Sequence, residues 1–516
     1  MTALEQGFAG LALAAGLAML CTRQFRAAFI FFAAQSASVA AMAVLGGQAL
    51  LVLAPAAGVV AVRLAQSRTR LPPRAESQIA GLAAGAILAA LCLSRGEAGI
   101  PLAVVLLAAV LAAVRRDPVT QLLALAAMGN GIALAGCLIA VDDLLPLACL
   151  ALPLPMAASV IGGPESLVET GGRWARRDAA AWLGWAELAG AAVLFGAALI
   201  VPLGALASVF APLIAFEGVM RAWIARTVEP NRPWRRVASL LQLGFVLLAV
   251  CATGQILSWL ALTAAATAAL LPNAAEHRDR TVLAFIGAGF ALFGTLTLPA
   301  EPSLTGYLGL FAGYAMLAAS VPDLAIPLLV LLLRSAAQTG WLQAAEPLGV
   351  GVALSALLTC SALLIRRRHG RADILLLAQA SIAGLAIATA QPDGRFAACV
   401  LLILLSLTRT ASRTAGEPAA LLALAGLAGL PPVGVFPGLV LVVLTIGGHA
   451  PWLLLPLALA LIPVLLAGLP RRLPAVSLRE ALLSAGWLPL AFAALFGLFA
   501  PLDLVRWLAA VTMGPS

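Results

Sequence analysis

Apolar residues run through this chain in blocks long enough to cross a bilayer, each closed by a short polar or glycine-proline stretch. A helical span needs about 20 such residues at 1.5 Å rise each. The pattern predicts spans near 7–21, 27–46, 48–64, 78–94, 100–114, 119–140 and 144–162. Further spans are expected near 180–201, 204–224, 237–254, 256–271, 282–299 and 304–321. The remainder fall near 324–341, 347–365, 373–390, 396–409, 418–447, 451–469 and 481–500. The fold class is therefore all-α, a polytopic transmembrane helical bundle of roughly 18–20 helices. The first segment lacks a basic leader and a cleavage site and reads as a retained helix.

The polar breaks carry a second pattern. Arg23 and Arg26 follow the first span, Arg68, Arg70 and Arg74 the third, and Arg115 and Arg116 the fifth. Arg173, Arg176 and Arg177 follow the seventh, Arg226, Arg232, Arg235 and Arg236 the ninth, and Arg278 and Arg280 the eleventh. Arg366, Arg367, Arg368 and Arg371 continue the alternation. By the positive-inside rule these loops are cytoplasmic and the N-terminus is outside. The longest polar break, 162–179, predicts a cytoplasmic linker between transmembrane domains over 1–161 and 180–516. Within 418–447, Gly429-Leu430-Pro431-Pro432-Val433-Gly434 interrupts the helical pattern. Such a break is either backbone exposed at an ion path or a packing kink.

Composition agrees with the pattern. Of 516 residues, 63% are hydrophobic and only 10% charged, and the mean hydropathy is +1.05. A soluble domain carries roughly 25% charged residues, so soluble, disordered and fibrous classes are excluded. The formal net charge is +9 and every basic residue is arginine. Arginine loops beside lipid headgroups account for that balance, without nucleic acid as a partner. The seven cysteines are isolated, without a C-x-x-C pair, and His277, His369 and His449 lie in loops. Neither a metal centre nor a cofactor is indicated. No phosphate-binding, dinucleotide, nucleophile-elbow or H-E-x-x-H motif occurs, so no catalytic residue is assigned.

Ionisable groups at membrane depth are functional candidates by default. Glu217, in Ala215-Phe216-Glu217-Gly218, and Glu187, in Trp185-Ala186-Glu187, are the two proton-path candidates. Each either takes and releases a proton or pairs with a nearby arginine such as Arg221. Asp142, Asp143, Asp323, Glu346 and Asp503 fall at span ends, where they mark helix termini. Gln35, Gln121, Asn130, Gln255 and Gln379 are polar but uncharged and are expected to hydrogen-bond between helices. A continuous relay needs titratable groups throughout the membrane; without lysine, this chain does not supply one alone.

Two stretches carry a family resemblance. Arg26 is followed nine positions later by Gln35-Ser36, and Arg116 leads through Gln121 to Met128-Gly129-Asn130-Gly131. In these the N-terminal part resembles the E-type membrane subunit of hydrogenase-4 and formate hydrogenlyase-like complexes, itself related to a small three-helix subunit of complex I. Gly129 stands where that family has a membrane glutamate, and Gln35 where the complex I relative has another. Gly429-Leu430-Pro431-Pro432-Val433-Gly434-Val435-Phe436 is similar to the break before a discontinuous helix in antiporter-like complex I subunits. Glu217 is a match for their helix glutamate, while their central lysines are absent. The resemblance implies a non-catalytic membrane-arm subunit of a complex I-related redox assembly in a bacterial inner membrane. Its partners would be the other membrane and hydrophilic subunits, including those that hold the redox centres. The role would be mainly scaffolding, with a minor part in proton translocation as an option. The alternatives are an autonomous secondary transporter or carrier and a purely structural membrane organiser.

Overall fold

The computed structural model describes residues 3–22, 25–68, 99–114, 118–138, 173–200, 203–228, 233–252, 254–270 and 278–297. It also describes 304–338, 342–366, 371–414, 417–431, 434–469, 487–499 and 502–513. Among these residues the secondary structure is helical, with no strand. Seven helices are long and apolar enough to cross a membrane by themselves, and shorter apolar helices pack among them. The protein is an all-α polytopic bundle. The predicted spans 78–94 and 144–162, and Asp142 and Asp143, lie outside the described residues.

The chain forms two compact units, Met1–Pro202 with Ala222–Arg278, and Leu203–Arg221 with Asp279–Ser516. In the first, α1 (Ala3–Cys21), α2 (Phe25–Leu45), α3 (Leu53–Arg68), α4 (Gly99–Val114) and α5 (Pro118–Leu138) are followed by α6 (Arg173–Ile200). A helix α7 (Ala205–Val228) has its first 17 residues in the second unit. The first unit resumes with α8 (Pro233–Cys251) and α9 (Gln255–Leu270). Residues 173–179 of the predicted linker are thus helical, and 162–172 lie outside the described residues. α5 is the axis of this unit: α2, α3, α4 and α9 pack around it, and it is buried from Val119 to Gly136. Gly131 permits this closeness, since a Cβ there would press within 2.6 Å of Val105.

The second unit continues with α10 (Arg278–Thr297), α11 (Leu304–Ser320), a 3-10 turn over Pro322–Leu324, and α12 (Ala325–Gln338). Next come α13 (Leu342–Arg366), α14 (Arg371–Ala388), α15 (Pro392–Thr414) and α16 (Glu417–Ala428). It ends with α17 (Phe436–His449), α18 (Leu454–Gly468), α19 (Trp487–Phe499) and α20 (Leu502–Met513). The last helix is absent from the apolar pattern because Asp503 and Arg506 interrupt a 12-residue amphipathic segment. α15 is the axis here, 89% buried along its span and surrounded by α12, α14, α16, α17, α19 and α20. Arg409, buried toward the C-terminal end of this helix, cannot simply turn to water, which fixes the chemistry described below.

The pattern over 418–447 resolves into two helices, α16 and α17. Gly429 ends α16 in the left-handed region at φ +88°. Its N–H bonds to the Gly426 carbonyl at 3.1 Å, and Leu430 N–H bonds to the Ala425 carbonyl at 3.0 Å. This pair of bonds is a Schellman cap, which satisfies carbonyls that a broken helix would leave bare in an apolar medium. The chain then folds back, so that Val435 N–H also reaches the Gly426 carbonyl at 3.1 Å. Gly434, at φ +82°, lies directly on Gly426. Pro431 is exposed in this turn, and Pro432 lies outside the described residues.

Gly434→Ala is expected to lower stability by at least about 1–2 kcal/mol, the cost of a left-handed non-glycine residue before any overlap with Gly426. Gly351→Ala, in α13 with open space around it, should instead be neutral or raise stability by up to about 1 kcal/mol. Thermal melting of both variants in detergent separates the two effects.

Candidate functional site

α7 contributes Glu217 and, one turn on, Arg221; α15 contributes Arg409 and Arg413, also one turn apart. The 3-10 turn supplies Asp323, and the first turn of α14 supplies Asp373. All six belong to the second unit. Residues four apart on a helix share a face, so each helix presents two charges to the same place.

Asp323 is the hub. Arg409 Nη2 and Arg413 Nη2 both donate to its Oδ1, the latter at 2.6 Å, and Arg221 Nη1 donates to its Oδ2 at 3.1 Å. Arg409 Nη1 also reaches its backbone carbonyl at 3.5 Å. Glu217 Oε1 lies 3.5 Å from both Arg409 Nε and Arg413 Nη1. Arg413 Nη2 is 3.6 Å from Asp373 Oδ1 at the exposed edge. Three arginines thus face three carboxylates, and the cluster is formally neutral. Arg409 and Glu217 are the deepest members, with side chains 4% and 9% exposed.

Asp323 lies on the turn between helices. Burial alone would push its carboxyl up, but Arg413, Arg409 and Arg221 outweigh that and hold it well below the usual carboxylate range. The expectation that Asp323 marks a water-facing helix terminus is met only in its position: its carboxylate ties its own turn to α7 and α15. Glu217 pairs with an arginine, but with Arg409 and Arg413; Arg221 turns to Asp323. Arg409 and Arg413 were not singled out by the sequence. The available signal was an arginine inside an apolar run, in Leu407-Thr408-Arg409-Thr410.

Glu187 is buried on α6, in the first unit. Gln35 and Asn130 come together: Asn130 Nδ2 donates to Gln35 Oε1 at 3.2 Å and to Ser36 Oγ at 2.9 Å. Gln35 Nε2 in turn donates to the Ala12 carbonyl at 3.2 Å. This network links α1, α2 and α5, with Gly16 leaving room for the Gln35 amide. Interhelical bonds of this kind average about 0.6 kcal/mol each in membranes, so they set register more than they supply stability. Gly129, next to Asn130, is buried on α5 and brings no charge.

Gln379 departs from expectation. It is fully buried on α14 beside Gly429, and among the described residues neither its amide oxygen nor its nitrogen has a partner. The residue opposite is a glycine, which offers no side chain to bond. The described residues hold no cluster of histidine, cysteine and carboxylate groups able to take a metal.

No family model and no curated protein matches the sequence. Among solved structures, the chain is similar to a chain of respiratory complex I from Thermus thermophilus with bound NADH. The TM-score is 0.50 at 17% identity, over 72% of this chain and 100% of that chain. The fold resembles that of a complex I chain. At this identity the likeness is one of helix arrangement.

Arg409→Ala leaves the buried Glu217 and the partly buried Asp323 short of a counter-charge and should cost about 3–5 kcal/mol, read as a large fall in melting temperature. Gln379→Leu removes an unpartnered buried amide and should leave stability unchanged or raise it by about 1 kcal/mol. A marked loss in that variant would show that the amide is engaged in the working protein.

Proposed function

We propose that this chain is a membrane-arm subunit of a complex I-related, hydrogenase-4-like redox complex in a bacterial inner membrane. Its role is chiefly that of a scaffold, and Glu217 is its candidate for a minor part in proton translocation. Redox chemistry would reside in partner subunits, and this chain would take no catalytic role. The observation that carries the reading is the ion cluster around Glu217 and Asp323, set inside a bundle whose fold resembles that of a complex I chain.

The identity of the cations favours scaffold over pump. A lysine ammonium changes its proton occupancy readily when buried, whereas a guanidinium stays protonated throughout the physiological range. Arg409 and Arg413 are therefore fixed charges. They can hold helices and bias the occupancy of a neighbouring carboxylate, but they do not pass a proton onward. The first unit adds an uncharged Gln35–Asn130 network and, at Gly129, no carboxylate. The E-subunit-like assignment of residues 1–161 and the degenerate antiporter-like assignment of 180–516 remain part of this proposal. The discontinuity at Gly429 and Pro431 is consistent with the second.

Mild-detergent purification with identification of the co-purifying polypeptides tests the assembly. Recovery with iron–sulfur and hydrogenase- or quinone-reductase-like subunits supports it; a monodisperse chain recovered alone overturns it in favour of a transporter. Within the assembled complex, Glu217→Gln should leave electron transfer intact. A fall in protons moved per electron would give Glu217 its translocating part, and unchanged coupling would leave the chain as scaffold alone.

A further inference from the structure

A cavity of about 520 Å³ opens on the second unit between α10, α11, α12, α13 and α14. Its size falls in the roughly 300–1,000 Å³ range of small-molecule pockets. The walls are apolar, with Leu283, Phe311, Leu329, Ala353 and Leu377 among them. The hydroxyls at its mouth are turned inward on their own helix: Ser355 Oγ donates to the Val352 carbonyl at 2.8 Å, and Thr359 Oγ1 to the Ser355 carbonyl at 2.8 Å. They offer an occupant little polar competition. Ser355, Leu358 and Thr359 are exposed, so the cavity is open to the bundle's surface along α13.

The groove is long and polarised. On α13 its lining runs from Gly349 to Leu363, about 21 Å at 1.5 Å per residue. On α14 it runs from Asp373 to Gly384, about 16 Å on the same rise. One leaflet of a bilayer's hydrocarbon core is about 15 Å deep. Its charged lining residues, Arg280 and Asp373, are at one end. Arg366 lies one turn beyond Leu363, and Arg371 two residues before Asp373, so the facing ends of α13 and α14 add two further arginines at that end. Asp373 is already 3.6 Å from Arg413. Arg280 is exposed and makes no ion pair with a described residue. Asp279 beside it is the remaining acidic side chain of that first turn. The N-terminal ends of α10 and α14, where the helix dipole is positive, lie at this same end.

We propose that this groove is a binding site for one anionic phospholipid of the cytoplasmic leaflet, with Arg280 at the phosphate and an acyl chain along α13 and α14. A groove one leaflet deep, apolar along its length and cationic where the leaflet ends, matches a phospholipid in both shape and charge. Basic pockets between transmembrane helices on the cytoplasmic side are a recurrent mode of anionic lipid recognition. The site does not depend on the proposed redox assembly, since it uses the second unit alone.

Native mass spectrometry of the purified full chain, with whatever subunits accompany it, provides the test. The probes are dioleoyl phosphatidylglycerol, dioleoyl phosphatidylcholine and glycerol 3-phosphate, each titrated separately. One phosphatidylglycerol is expected to be retained in preference to phosphatidylcholine, and glycerol 3-phosphate is expected not to bind. Arg280→Gln should weaken phosphatidylglycerol about fivefold, the worth of one arginine at an anionic surface, and leave phosphatidylcholine unchanged. Ser355→Phe, at the exposed mouth, should weaken both lipids by filling the groove. Melting curves in detergent check that both variants stay folded, and wild-type protein alone should gain stability from phosphatidylglycerol. Equal retention of the two lipids, an unchanged phosphatidylglycerol adduct in both variants, or a polypeptide helix cross-linked to residue 355 would each overturn the proposal. Binding of glycerol 3-phosphate would reassign the site to free phosphate esters and overturn it likewise.

Discussion

Arg409, which is buried, and Arg413, which is partly exposed, project from α15, 89% buried along its span, toward the same carboxylates. A buried charge without a partner costs several kcal/mol, and a membrane interior offers no alternative solvent. The packing of α7, α14 and the turn before α12 must therefore deliver Glu217, Asp323 and Asp373 to one place. Asp323 occupies both carboxylate oxygens with guanidinium donors, and Glu217 stands at 3.5 Å from the other side of the same pair. The cluster closes with three charges of each sign. Such a cluster adds little net stability over an apolar core, but it makes alternative helix arrangements expensive, which is the property a rigid membrane scaffold needs.

The same economy governs the uncharged parts. In the first unit, α5 is buried from Val119 to Gly136, and at its centre Asn130 Nδ2 is held by a small amide network to α2 and α1, while Asn130 Oδ1 has no partner among the described residues. In the second, the break after Ala428 bonds its own backbone through the Schellman cap and the return of Val435 to Gly426. Backbone that leaves the helix inside an apolar bundle must find partners within the protein. Here Gly429 and Gly434 make that possible by accepting positive φ and close contact. Gln379, fully buried next to this turn, has a side-chain amide without a bond among the described residues.

The cluster and the groove share Asp373, which lines the cavity while approaching Arg413. The end of the bundle that holds the ion pairs is thus also the end where the groove is charged. In the proposed reading the cluster fixes the internal helices and the lipid completes the outer face.

The sequence by itself determined the class of the molecule: hydrophobic blocks of membrane length admit only helices or closed barrels, and these blocks lack the alternation of a barrel. It also determined that lysine has no role, and it placed the break near Gly429, because glycine and proline act on the backbone locally. Glu217 was visible as an expensive group in an apolar run, but its partners were not. Arg409 and Arg413 lie almost 200 residues away, and Asp323 read as a helix end. Which of two arginines one turn apart faces a given carboxylate depends on helix rotation and crossing, and these follow from packing across the whole unit. The helix Leu502–Met513 escaped because Asp503 and Arg506 interrupt its apolar pattern; its packing on α15 is a tertiary fact. The groove was equally hidden, since five helices far apart in sequence form its walls. Periodicity and cost per residue are local properties and can be read from the chain; the pairing of charges and the shape of a cavity are properties of contacts, and only the tertiary structure decided them.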